Sequence, residues 1–382
     1  MEFAIPYLLL IAFLGFMAFV YESRADESWR IRASIISVAV VVVFFGFRGF
    51  CFYDWNSYYP GFVSFRFRDM VELPVYQWRF EPGFTLLLAF SKSLVDSYHF
   101  FVFLCTCINM VLLMRFFRKR VENIPLALVI CICMNGIIMF TDLMRNSISI
   151  LLFMNSIEYL TQRRPWPYFL INIVGITFHI SSFIFLPLYF VLHKRWSKTV
   201  YMSFFLAGNV IYLLHIPVFL TIVSVFLGFV SPELQWKVHE YTELMANEEF
   251  RLSIGYLERL LTGVLVFIYL DKLRTFREDN DVFINSILLY MVMFFFFSEF
   301  KTVSVRMSML FTYAYWIIWI DLIRCFTISG NRRLFVAFLS LYCMFKIYGS
   351  TNYIIARYDN VLFGAEPYHL RVLTYNKYFN EI

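Results

Sequence analysis

Apolar residues run in long blocks along this chain, and polar residues are confined to short breaks between them. Blocks of spanning length lie at about 3–21, 33–50, 97–117, 124–141, 145–161, 199–214, 256–270, 282–299, 307–324 and 333–349. A helix that crosses lipid needs about 20 such residues, because its backbone groups must all be satisfied internally. The stretch 167–192 is less plain, since Arg163 and Arg164 precede it and His193, Lys194 and Arg195 follow. Two short crossings that turn near His179 keep both clusters on one side of the membrane, and that hairpin is the expectation. The pattern then predicts about twelve spans. The apolar stretch 216–230 is read as interfacial or re-entrant, leading into a polar loop at 231–255.

The basic residues orient this bundle. Arg30 with Arg32, Arg115 to Arg120, Lys272 to Arg277 and Arg324 to Arg333 share one side if the N-terminus starts outside. Inside-facing loops carry the excess of Lys and Arg, so that side is the cytoplasm. Residues 1–21 have neither a basic flank nor a small-residue cleavage site, and are expected to stay as a first span. The stretches 51–96, 231–255 and 350–382 become the outer pieces.

Composition agrees with the pattern: 60% of the residues are hydrophobic and only 16% charged, against about 25% charged in soluble domains. A soluble fold has no means of hiding so much apolar surface. The net charge of +6 is spread over loop clusters, which argues against a nucleic-acid partner. The seven cysteines lie mostly in apolar runs without metal-ligand spacing and are read as small core residues. No internal repeat or linker divides the chain. The fold class expected is all-α: a polytopic transmembrane bundle, one domain over 1–382, in a bacterial cytoplasmic membrane.

Ionisable groups in or beside spans are costly and by default mark a cavity or site. On this topology they gather at the outer surface. Arg48 closes the second span; Asp54, Tyr58 and Tyr59 follow it; Glu81 opens FEPGFTLLLAF; Asp142 and Arg145 sit in the next turn; His179 tips the hairpin; Glu299, Lys301 and Arg306 lie further on. Each has a plainer reading. The arginines fit headgroup anchors, Asp54 and Glu81 fit helix starts, His179 fits a core histidine, and the tyrosines fit an aromatic belt. Co-location is what favours chemistry. Arginine grips phosphate with two parallel donors, and a carboxylate or histidine accepts a proton from a sugar hydroxyl.

FRGF at 47–50 with Asp54 and Tyr58, FEPGF at 80–84, RNSISILL at 145–152, FHISS at 178–182, VRMSMLFTY at 305–313 and PYHL at 367–370 together resemble the EpsG family. These are polytopic exopolysaccharide polymerases akin to the Wzy-type O-antigen polymerases. The match is strongest over 44–195. Asn146 stands where the family often has Gln, and the stretch between Gly49 and Asp54 is aromatic-rich instead of a Gly/Thr turn. The resemblance implies a metal-independent glycosyltransferase of the lipid-carrier (GT-C-like) type. Its donor is a growing glycan on a polyprenyl diphosphate, and its acceptor a lipid-linked repeat unit. The matched positions are Arg48, Asp54, Glu81, Arg145, His179 and Arg306.

The expected division of labour gives the diphosphate to Arg145 and Arg306, with Arg48 in support. His179, Glu81 and Asp54 compete as base, and Tyr58 and Tyr59 are candidates to stack on sugars. No cofactor or metal is expected. Membrane lipid and a chain-length regulator are the remaining partners considered. The rival classes are a ligase of finished glycan, a flippase of lipid-linked sugars and a membrane acyltransferase.

Overall fold

The computed structural model describes residues 2–24, 26–222 and 253–380, except the side chains of residues 301, 302 and 380. Most of the expected segment 216–230 and of the loop 231–255 lies outside the described residues. Among the described residues the chain is helix and connecting turn, with isolated bridges only, from Asn360 to Arg48 and to Gly364. The chain divides into two compact units, Met1–Tyr189 with Ile328–Ile382, and Phe190–Thr327.

In the first unit α1 (Ile5–Ser23) and α2 (Glu27–Gly46) are followed by two shorter helices, α3 (Trp55–Ser64) and α4 (Pro82–Leu94). Then come α5 (Tyr98–Phe117), α6 (Ile124–Thr141), α7 (Met144–Thr161) and α8 (Pro165–Phe178). The unit is completed by α15 (Ser329–Thr351) and α16 (Tyr368–Asn380). Helix α6 is broken inside by a wide turn at Ile132–Gly136, where Asn135 takes φ +69°. Asn tolerates that left-handed geometry better than most residues.

Small polar side chains stitch these helices together. Asn109 of α5 donates to Ser147 Oγ of α7 at 2.9 Å, Asn155 of α7 to the Leu112 carbonyl at 3.0 Å, and Asn172 of α8 to Ser156 Oγ at 2.9 Å. In an apolar surrounding such bonds hold helices where burial of apolar surface gives little. After α8 the chain turns at His179, whose backbone is extended (φ −156°). By Tyr189 it has returned to its starting level: that ring packs on Tyr168 at 5.1 Å, and Arg163 donates to the Tyr189 carbonyl at 3.3 Å. The segment therefore folds back on itself at His179.

The second unit holds α9 (Lys198–Leu213), α10 (Ile254–Ile268), α11 (Leu270–Phe276), α12 (Asn280–Phe296), α13 (Lys301–Met309) and α14 (Tyr313–Cys325). Helix α12 is its hub, packed on α9, α13 and α14. At one end of the unit Asp321 is buried and accepts from Arg277 Nη1 at 3.0 Å and from Asn280 at 3.2 Å.

Among the described residues, five helices suffice by length and composition to cross a membrane, α1 with its preceding turn, α2, α5, α6 and α15, or six if the bent pair Val303–Met309 and Tyr313–Cys325 is one span. The remaining segments of the twelve-span expectation are helical too, but short or polar. Helix α8 has 14 residues, α9 has 16 and α10 has 15, short of the 20 or so for a straight crossing. Helix α7 reaches 18 residues but carries Arg145 and Glu158.

Candidate functional site

In the first unit, helix ends bring charged residues together. Arg48 follows the end of α2, Asp54 starts α3, Glu81 starts α4, Asp142 follows α6, Arg145 lies in the first turn of α7, and His179 follows α8. Proline at position 82 sets the start of α4 and puts Glu81 just before it. The Glu81 side chain makes no capping bond to its own helix and turns instead to Arg145, with Oε2 at 2.5 Å from Nη1. Both side chains remain partly open, at 20% and 26%.

Close helix packing makes the pair possible. A Cβ on Gly83 would sit 2.3 Å from Thr177 Oγ1 and 3.0 Å from the Thr177 carbonyl oxygen, so only glycine lets α4 approach the end of α8 this closely. The same approach brings the Ile180 amide to 3.5 Å from Glu81 Oε1. On its other side the Arg145 guanidinium lies against the rings of Phe80 and Tyr58, at 5.3 and 5.8 Å.

His179 is tied to the same place. Its Nδ1 accepts from the Ser181 amide at 3.2 Å and lies 2.7 Å from Ser181 Oγ. Ser181 Oγ reaches Asn146 Oδ1 at 3.2 Å, next to Arg145 in the chain. With Nδ1 accepting, a neutral ring carries its proton on Nε2. In that tautomer His179 is a donor at its outer nitrogen, which makes it a poor base.

Asp142 received no role from the sequence, though it was marked as an outer charge. It is 6% exposed and accepts the amides of Tyr53 and Asp54 at 2.9 and 3.1 Å. It thereby fixes the turn that starts α3 and carries Asp54. Burial, and then the neighbouring Asp54 carboxylate, push its pKa up to about 7, against the two amide bonds that oppose the shift. Burial disfavours the charged form, and a like charge adds to this. Its importance was hidden because an Asp in a turn looks like any other loop carboxylate.

Two expected contacts come out differently. Arg48 is 4% exposed, and its guanidinium donates to the carbonyls of Phe45 at 2.5 Å and Thr141 at 3.4 Å. It thus closes the ends of α2 and α6, whose last carbonyls have no partner within the helix. Tyr58 is 3% exposed, set between Phe80 and Phe84 at 5.8 and 5.7 Å and turned to Arg145. That leaves its ring no open face for a sugar. Tyr59, next in the chain, points elsewhere and stacks on Tyr368 at 4.1 Å.

The C-terminal stretch clasps this end of the unit. Gly49 donates to the Asp359 carbonyl, Phe52 to that of Ile355, and Val361 to that of Phe47, at 3.0, 2.9 and 2.8 Å. Arg371, 3% exposed, donates to the Phe50 and Arg357 carbonyls and pairs with Glu366 at 3.2 Å.

Arg306 belongs to the second unit, exposed on α13. In that unit Glu299 accepts the amides of Phe219 and Leu220 at 2.8 and 2.9 Å. The expectation of no metal passes over one Asp-x-Asp sequence, Asp279–Asp281. Its carboxylates pair with Arg277 at 3.6 Å and Arg274 at 2.7 Å.

The model of the EpsG family matches residues 31–362 of the chain. No curated protein and no solved structure matches it.

Proposed function

The chain belongs to the EpsG family, and from that premise we propose that it is a membrane glycosyltransferase that polymerises lipid-linked oligosaccharide repeats into exopolysaccharide, capsule or O-antigen. The reaction takes place at the outer face of the cytoplasmic membrane. Its donor glycan is carried on a polyprenyl diphosphate, and no metal takes part. The observation that carries this reading is the half-open Arg145–Glu81 pair, backed by His179 and by the two carboxyls of Asp54 and Asp142.

An acceptor hydroxyl oxygen attacks the anomeric carbon of the donor. The bond from that carbon to the diphosphate oxygen breaks, and the hydroxyl proton passes to a base. The leaving diphosphate gains negative charge, and a guanidinium is suited to it as a bidentate donor. At rest Arg145 is neutralised by Glu81. When the diphosphate takes over Arg145, Glu81 is released as the base for the acceptor hydroxyl. This ordering favours Glu81 over His179, whose ring is held as a donor. Asp54 is the second choice. Arg48 supports the site through the backbone it holds. A role for Arg306 toward phosphate is tested separately, by complementation of the deletion host with Arg306→Ala.

Deletion of the chain in its host tests the reading, followed by gel analysis of surface glycan. Loss of the long-chain ladder with one repeat unit retained supports a polymerase. Loss of the single repeat as well indicates a flippase, and a ladder kept on its lipid carrier indicates a ligase. Complementation with Glu81→Gln or Arg145→Ala is expected to leave the single-repeat pattern.

A further inference from the structure

Beside α3 the first unit holds an open cleft of about 600 Å³. Tyr59 and Tyr368, stacked at 4.1 Å, form one part of its lining, with Phe62 beside them. Lys92, Asp96, Ser97, His99 and Glu366 supply the polar part. Glu366 is fixed by Arg371 at 3.2 Å and Arg357 at 3.6 Å. Lys92 donates to the Phe62 carbonyl at 2.9 Å and lies 3.5 Å from Asp96, whose side chain is 71% exposed.

From this geometry we infer that the cleft is a glycan subsite, which binds an uncharged sugar of the repeat unit while the diphosphate stays with Arg145. The inference rests on the polymerase reading. Its volume lies within the range of about 300–1,000 Å³ common for small-molecule sites. Pyranose rings present an apolar C–H face and an equatorial rim of hydroxyls. Aromatic side chains suit the first, and fixed carboxylates accept from the second. The cations at the cleft already face carboxylates, Lys92 with Asp96 and both Arg357 and Arg371 with Glu366, which leaves the diphosphate to Arg145.

The two sites share one helix. Tyr58 meets Arg145 and Tyr59 lines the cleft, as successive residues on a helix point about 100° apart. A repeat unit several sugars long is thus held by its glycan at one face of α3 and reacts at the adjoining one.

The test uses the full chain in nanodiscs and lipid-free repeat-unit oligosaccharide, freed by mild acid from the glycolipid of the deletion host. Calorimetric titration is expected to show binding by the unaltered protein. Tyr59→Ala and Asp96→Ala each weaken it about 10-fold or more, in keeping with loss of a hydrogen bond to a charged group or of ring contact. Arg145→Ala leaves the affinity within about twofold. Asp96→Ala removes an exposed side chain, so it reads the cleft even where Tyr59→Ala disturbs folding. No binding by the unaltered protein, or affinity unmoved by both cleft substitutions, overturns the inference. Equal loss in Arg145→Ala overturns it too, because one site would then serve both groups. Polymer made with sugar affinity unmoved sinks the cleft alone. Cleft-dependent binding without any polymer formed sinks the polymerase reading and leaves the subsite.

Discussion

At the scale of single residues, the chemistry turns on which side chains are committed and which can exchange partners. Arg145 has the geometry to exchange. Its alanine variant is expected to lose about 10²–10³-fold in chain-elongation rate, the usual cost of removing one strong donor to a developing anion. Lysine at the same position keeps the charge and loses the planar fork, so a smaller loss is expected in the same repeat-unit assay. Asp142 is committed to two amides, and its raised pKa has a consequence for stability. Between the ordinary carboxylate value of 3.8 and about 7, the folded protein holds a proton that the unfolded chain has released. Stability therefore falls as pH rises through that window and levels off above it. Melting temperatures of purified protein across pH 4 to 8 check this. Asp142→Asn keeps an oxygen for both amides and is expected to flatten the decline.

Among elements, the arrangement depends on close approaches that hydropathy does not report. Gly83→Ala forces α4 away from the end of α8 and parts Glu81 from Arg145. The expected cost is about 1–3 kcal/mol of stability, with activity falling further than the melting temperature suggests. Arg371→Ala removes the buried guanidinium that holds the tail to residue 50. The expected cost is about 3 kcal/mol or more, measurable as a lower melting temperature and faster proteolysis after residue 350. Apolar blocks and basic breaks foretold most of the long helices, the fold-back at His179, and the approach of residues 81 and 145 to that turn. These follow from helix length and charge placement, which act locally along the chain. The burial of Arg48, the turning of Tyr58 away from solvent and the role of Asp142 did not show. Each depends on a partner far off in sequence, such as Thr141 for Arg48 or the amide of Tyr53 for Asp142. A single sequence carries no mark of such pairings.

At the scale of the whole molecule, the two ends of the first unit differ in chemistry. One carries Glu81, Arg145 and the cleft, and the other carries Arg115, Lys119 and Arg163. Cysteine placed at Asp96 is expected to react with a membrane-impermeant maleimide added to intact cells or spheroplasts, and cysteine at Lys119 only after lysis. The reverse pattern would put the site in the cytosol and end the proposed orientation. The native cysteines give little background, since six of the seven are buried and Cys107 partly so. The first unit is also discontinuous: its early helices and its closing stretch are separated by the whole of Phe190–Thr327. Residues 355–371, which clasp the turn after α2 and complete the cleft, leave the ribosome only after all that intervening chain. Biosynthesis thus acts as its own safety catch. A polypeptide still being inserted, or one cut short by a late nonsense codon, has Arg145 and Glu81 in hand but no finished pocket to feed them.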